Sequence, residues 1–291
     1  MPDARAQAWV PGQGKGSVSL TYQQIKVTQL AQSNGTPRSF GEIVNRAFYL
    51  NADYGLTDRW AISLGIPFKS NRYTGNDPHD PRRRLFPAND QRFLDDGQFH
   101  GGWADWSASL RYQWRTTPLL ITPFITYSRP SHEYTFFANA SLGTHQWFWR
   151  TGVNVGKRLA APYQNLYWQA GYAYMYMQAV NDRRVKFDRL SVQVGYNFTP
   201  RFDAHALVEH QNSYGGLNAP QDYRNPNGSP NVGNIFHHDA LGGASYTRAS
   251  VGFGYQINEH YQVYSDLGRT LKGSNAHLID YAASFGVSRN F

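Results

Sequence analysis

The last stretch of the chain, His277 to Phe291, reads HLIDYAASFGVSRNF. Tyr281, Ala283, Phe285, Val287 and Phe291 share one parity; Asp280, Ser284, Gly286, Ser288 and Asn290 share the other. Side chains alternate faces along a strand, so an extended chain here has one apolar and one polar face. The same two-residue rhythm recurs upstream. Trp60, Ile62, Leu64, Ile66 and Phe68 oppose Ala61, Ser63, Gly65 and Lys69, and Leu190, Val192, Val194, Tyr196 and Phe198 oppose Ser191, Gln193, Gly195 and Asn197. Similar segments span residues 15–30, 48–56, 106–114, 119–129, 147–155, 166–176, 202–209, 249–256 and 260–272. The pattern predicts about twelve strands and no helix.

Composition narrows the solvent on each face. Of 291 residues, 15% are aromatic and 16% charged, with 27 Gly, 20 Tyr, 8 Trp and no Cys. Charge lies well below the roughly 25% of soluble domains. Mean hydropathy is nevertheless −0.59, and no apolar run reaches the ~18–20 residues of a spanning helix. A membrane barrel reconciles these facts, because only every second residue faces lipid. A soluble sandwich or lipocalin-like barrel would carry Lys, Glu and Thr outside; here the polar face is Ser, Gly, Asn and Gln. The lack of Cys excludes a disulfide framework and a thiolate metal site. The formal charge of +8 is scattered, without a basic helix or stripe, so anionic lipid or solutes fit better than nucleic acid. Ala4-Arg5-Ala6 reads like the small-x-small end of a cleaved signal peptide.

A sheet edge in lipid leaves N–H and C=O groups unpaired at several kcal/mol each, so the strands must close. Short turns, such as Gly55–Asp58, Arg115–Pro118 and Asn258-Glu259, alternate with longer loops at about 73–100 and 214–240. That is the layout of a barrel with both termini and its tight turns periplasmic. The predicted fold is all-β: a transmembrane antiparallel up-and-down β-barrel over residues 15–291, in a bacterial outer membrane. Residues 1–14 are expected to be an irregular periplasmic segment. Trp60, Trp114, Trp147, Tyr54, Tyr196 and Tyr255 would form the interfacial girdles.

The closing strand with its terminal Phe291 resembles that of bacterial outer-membrane barrels, where such a Phe belongs to the assembly signal. The resemblance implies the barrel assembly machinery as a partner. Ala8–Gly14 (AWVPGQG), Tyr54–Trp60 (YGLTDRW), Phe236–Asp239 (FHHD), Gly268–Leu271 (GRTL) and Gly273–His277 (GSNAH) resemble a proteobacterial family. That family of transporter-like outer-membrane proteins is labelled after the meta pathway of phenol degradation. The similarity is scattered over most of the chain and lies in turn and girdle motifs. It implies an uptake channel for small, aromatic compounds.

By parity Asp53, Asp105, Arg111, Arg150, Asp203, His205, Glu209, Arg248, Asp266 and Asp280 point into the lumen. Two readings stay open: a polar eyelet that sorts solutes by charge and size, or a salt-bridge network filling the interior. The mixed signs argue against strong ion selectivity. Arg46, His210 and Arg269 fall on the outward parity near the rim and are expected to meet lipid and lipopolysaccharide headgroups. Asp203, His205 and Glu209 are too widely spaced for one metal, at ~3.3 Å per residue. His237-His238-Asp239 offers imidazoles that a transition metal takes, but reads more simply as a solvated pair, and no metal or cofactor is expected. Glu209–Ser213 (EHQNS) raises a lipid acyl hydrolase with His210 and Ser213, without the spacing of those enzymes. The leading expectation is a non-enzymatic porin-like channel for small, aromatic or anionic solutes; the alternatives are that hydrolase and a structural or docking barrel.

Overall fold

The computed structural model describes residues 7–82, 91–217 and 221–291. Ala4-Arg5-Ala6, and two members of the basic triplet Arg82-Arg83-Arg84, lie outside the described residues. Thirteen strand segments form one sheet: β1 (Gly16–Ala31), β2 (Pro37–Gly55), β3 (Trp60–Thr74), β4 (His100–Trp103), β5 (Trp106–Tyr112), β6 (Leu120–Arg129), β7 (Phe148–Arg158), β8 (Leu166–Met177), β9 (Lys186–Asn197), β10 (Phe202–Tyr214), β11 (Ser245–Gln256), β12 (Tyr261–Ser274) and β13 (Ala276–Asn290). β4 and β5 both pair with β3, at Phe68–Asn71 and Trp60–Gly65, so they are two parts of one stave interrupted at Ala104-Asp105. Counting β4 and β5 as one, each stave pairs antiparallel with its neighbours in sequence, and β1 pairs with β13 from Ser17↔Asn290 to Ala31↔Ala276. The sheet therefore closes as a twelve-stave antiparallel barrel.

Alternation decides which face meets which solvent. Val18, Leu20, Phe48, Leu50, Leu64, Val192, Phe253 and Phe285 are exposed on the outer wall, while Ser19, Thr21, Gln193 and Ser250 are buried inside. This inverts the arrangement of a soluble protein. An apolar outer band with a polar interior is stable only against hydrocarbon. Tyr54, Trp60, Trp114, Tyr196 and Tyr255 ring the short-turn end. Trp147 lies at the opposite end, near Tyr176.

Three short turns share one device. Thr57 Oγ1 accepts from the N–H of Arg59 and Trp60 (3.2 and 3.0 Å), and Thr199 Oγ1 from Arg201 and Phe202 at the same distances. Asn258 Oδ1 does the same for His260 and Tyr261 (2.9 Å each). A side-chain oxygen two residues upstream satisfies the turn's free donors, which is why Thr and Asn stand there.

The interior is less uniformly polar than the sequence suggests. Near the long-loop end, Val27, Phe40, Ile43, Tyr73, Ala140, Ile279 and Ala282 pack into an apolar cluster. A register shift between β1 and β13 adds Ile279 to it. Lys26 pairs with Tyr281, but Val27 pairs with Ile279, so Asp280 is an extra residue. This corrects the inward assignment of Asp280: the bulge brings Ile279 into the lumen beside Ala282, and Asp280 instead accepts from Thr28 Oγ1 (2.8 Å) near the outward Lys26. A bulge of this kind resets parity locally.

Candidate functional site: a lumen with a cationic belt and two mouths

Residues 7–15, ahead of β1, enter the short-turn mouth of the barrel. Ala8 is fully buried; its N–H donates to Gln169 Oε1 (3.3 Å) and its carbonyl accepts from Thr122 Oγ1 (2.7 Å). Arg111 Nη1 donates to the Trp9 carbonyl (3.0 Å), and the Trp9 ring meets Tyr167 edge-on. The β6–β8 side of the mouth is thus filled. The opposite side keeps a cavity of about 280 Å³ between Ser17, Asn51, Asp53, Ser109 and Arg111.

Two charged pairs stand in this half. Asp53 accepts from Arg111 Nη2 (2.6 Å) and Ser63 Oγ (2.8 Å). His205 Nε2 meets Asp266 Oδ1 at 2.9 Å. Gly252 lies between them in the sheet, and a Cβ there would stand 2.1 Å from the Asp266 oxygen, so only glycine leaves room. Asp203 leans over Gly254 at the same end.

Midway along the barrel the balance changes. Arg150, Arg189 and Arg248 line a cavity of about 270 Å³ together with a single carboxylate, Glu209. Arg189 Nη1 lies 3.4 Å from Glu209, and its Nη2 donates to Gln211 (2.7 Å) and Tyr246 (3.1 Å). Arg248 stacks over the Tyr246 ring at 3.6 Å. Arg150 has no ion pair among the described residues, and its Nε is buried without a partner. Three guanidinium charges against one carboxylate leave a belt of net +2. Arg189 was not singled out in the sequence, although it shares parity with Ser191 and Gln193 and could have been found by extending the pattern.

Above the belt the long loops fold inward. Asp105, at the break between β4 and β5, accepts from the Tyr134 hydroxyl (2.6 Å), and Lys69 Nζ donates to the Leu142 carbonyl (2.6 Å). Burial and the Asp105 carboxylate push the Tyr134 phenol well above its ordinary value. Asp95 is buried and accepts from the N–H groups of His79 (2.8 Å), Asn139 (3.1 Å) and Ala140 (2.9 Å), and from Asn139 Nδ2 (2.8 Å). It ties the 75–99 loop to the 130–147 loop. Two short helices, α1 (Val232–Phe236) and α2 (His238–Leu241), complete the cap, with Phe236 stacked on Phe137. His79, His238 and Asp239 come together here. Burial holds the His79 imidazole below the ordinary histidine value.

Neighbouring cavities in the lumen have lining residues in common. The 280 and 270 Å³ cavities share Gln7, Phe124, Arg150 and Asn154. The second shares Gln23, Ile25 and Tyr49 with one of about 330 Å³, which shares Asn139, Asp239 and His277 with a vestibule of about 440 Å³ under the cap.

On the outside, Arg46 lies over the Phe99 ring (4.3 Å), which also receives Arg72 (4.9 Å). His210 faces outward between Thr247 Oγ1 and Asn212 Oδ1 (2.9 Å each), and Arg269 is exposed on β12. Ser213 has the opposite parity to His210 and meets Ser245 Oγ at 3.1 Å. The sheet separates the two, which removes the proposed hydrolase pair.

No protein-family model matches the chain, nor does any curated protein. Solved structures do resemble it. An outer-membrane channel from Pseudomonas putida F1 is similar over 98% of this chain and 98% of its own, with a TM-score of 0.72 and 15% identity. The translocator domain of the autotransporter NalP from Neisseria meningitidis follows the fold over 97% of this chain and 90% of its own (TM-score 0.56, 9% identity). The NanC porin does so over 93% and 98% (TM-score 0.51, 11% identity). The fold of this chain is that of bacterial outer-membrane β-barrels.

Proposed function

We propose that the chain is a porin-like channel of the outer membrane for small solutes, with a preference for anions. The observation that carries this reading is the series of neighbouring cavities in the lumen, one of them lined by a belt of Arg150, Arg189 and Arg248 with one counter-charge. A cation-lined constriction lowers the barrier for anions and raises it for cations. The similarity to a channel and a porin supports the same reading. The resemblance to the family labelled after phenol degradation adds a substrate class, aromatic acids, whose ring and carboxylate suit Phe124, Tyr246 and the arginines. Lipid and lipopolysaccharide headgroups are the partners we assign to Arg46, His210 and Arg269, and the barrel assembly machinery to the closing strand.

Planar-bilayer recording on the folded protein tests the reading. Channel events with a reversal potential displaced toward the chloride equilibrium value are expected. Absence of conductance from protein whose folding is verified by heat-modifiable mobility would overturn it.

A further inference from the structure

We propose that His79, His238 and Asp239 form a site for a divalent transition-metal ion of the zinc class. The ion would join two extracellular loops across the mouth of the barrel. One donor atom from each residue lies within 4.8 Å of the others. His238 Nε2 stands 3.4 Å from Asp239 Oδ1, and His79 Nδ1 stands 3.7 Å from Asp239 Oδ2. Ligands about 2.0–2.1 Å from a tetrahedral zinc are separated by ~3.3 Å, so a small contraction completes the geometry.

The imidazoles are also oriented for a ligand. His238 Nδ1 lies 2.7 Å from the Ile235 carbonyl, which can only accept. Nδ1 therefore carries the proton, and the Nε2 lone pair is left facing Asp239. This is the backbone-anchored tautomer of metal-binding histidines. His79 Nδ1 is buried and has no hydrogen-bond partner among the described residues. Its ring is fixed against Phe137, with centroids 4.9 Å apart, and its backbone N–H is held by Asp95. A buried polar atom left unpaired is costly, and a bound ion would offset that cost.

The donor set selects the ion. Two imidazole nitrogens and one carboxylate, without thiolate, suit zinc, nickel, copper or cobalt rather than calcium or magnesium. The roughly 440 Å³ vestibule beside the cluster leaves a fourth position open to water or solute. His79 comes from the β3–β4 loop and His238-Asp239 from the β10–β11 loop, so the ion would cross-link the cap. Metal binding stands independently of the proposed channel function; the effect on conductance rests on it.

Calorimetric titration of chelator-treated, folded protein in detergent with ZnCl2 tests the site, with MgCl2 as the control. One zinc per chain is expected at micromolar or tighter affinity. His79→Gln and His238→Gln should each weaken it at least ~100-fold, the upper end for loss of a mere outer-shell partner. No zinc binding, affinity no better than for magnesium, or tight binding that survives both substitutions would overturn the proposal. Should a variant fail to fold, cobalt added to the unaltered protein decides. An intense visible band from a four-coordinate ion supports the site, and the pale spectrum of the hydrated ion refutes it. In bilayers, zinc should lower conductance reversibly on chelation. Protein that binds zinc but never conducts leaves the metal site standing and removes the channel reading.

Discussion

The Arg111 guanidinium is shared between Asp53, at 2.6 Å on the barrel wall, and the Trp9 carbonyl, at 3.0 Å on the segment that enters the lumen. One side chain thus ties the occupant of the short-turn mouth to the wall. Arg111→Ala removes both ties and leaves Asp53 with Ser63 as its remaining donor. Loss of one partner from a largely buried pair of this kind costs about 1–3 kcal/mol. The expected outcome is a larger and noisier single-channel conductance, with the strands intact by circular dichroism. Conductance identical to that of the unaltered protein would show that the contacts of Ala8 with Gln169 and Thr122, and of Trp9 with Tyr167, hold the segment without Arg111.

Charge selectivity should follow the belt. Arg150→Glu converts three guanidinium groups and one carboxylate, net +2, into two of each, net zero. The reversal potential in a salt gradient is expected to move toward zero, and further with Arg189→Glu as well. A reversal potential untouched by both substitutions would place selectivity elsewhere.

The cap depends on one buried carboxylate. Asp95→Ala leaves four donors from His79, Asn139 and Ala140 without their acceptor. Hydrogen bonds to a charged group contribute about 1.5–3 kcal/mol each, so the 75–99 and 130–147 loops should lose protection together. Hydrogen exchange measured by mass spectrometry checks this: faster exchange is expected in both loops, with β7–β12 unchanged.

The two faces of one strand should respond oppositely to charge. Leu64 lies outward on β3 between Trp60 and Phe68, while Ser63 lies inward beside Asp53. Leu64→Arg is expected to destabilise the barrel by about 2–4 kcal/mol in a lipid-based unfolding titration. Ser63→Arg, facing the lumen, should cost far less. Equal costs at both positions would contradict the lipid-facing assignment.

Much of this was legible because a strand repeats every two residues. Val192, Leu64 and Phe285 outside, with Gln193 and Ser284 opposite, required no knowledge of distant contacts, only the pleat. Asp280 departs from the expected inward parity, because a bulge is invisible to a two-residue count. The grouping of the lumen charges was not legible. Asp53 and Arg111 are sequence-distant, as are Arg150, Arg189 and Arg248, and only strand register sets which of them share a level. Asp95 and His79 lie in a loop without periodicity, so nothing local announced either.

The sequence by itself determined a barrel of about twelve strands with hydrocarbon outside, since alternation sorts apolar from polar faces and an open edge in lipid leaves backbone groups unpaired. Tertiary structure alone decided what occupies the inside. Closure of β1 on β13 fixes the stagger of every strand, and the stagger sets which arginines meet, which carboxylate stands among them and where the loops descend. Solvent chooses the face of each side chain, but register chooses its neighbours.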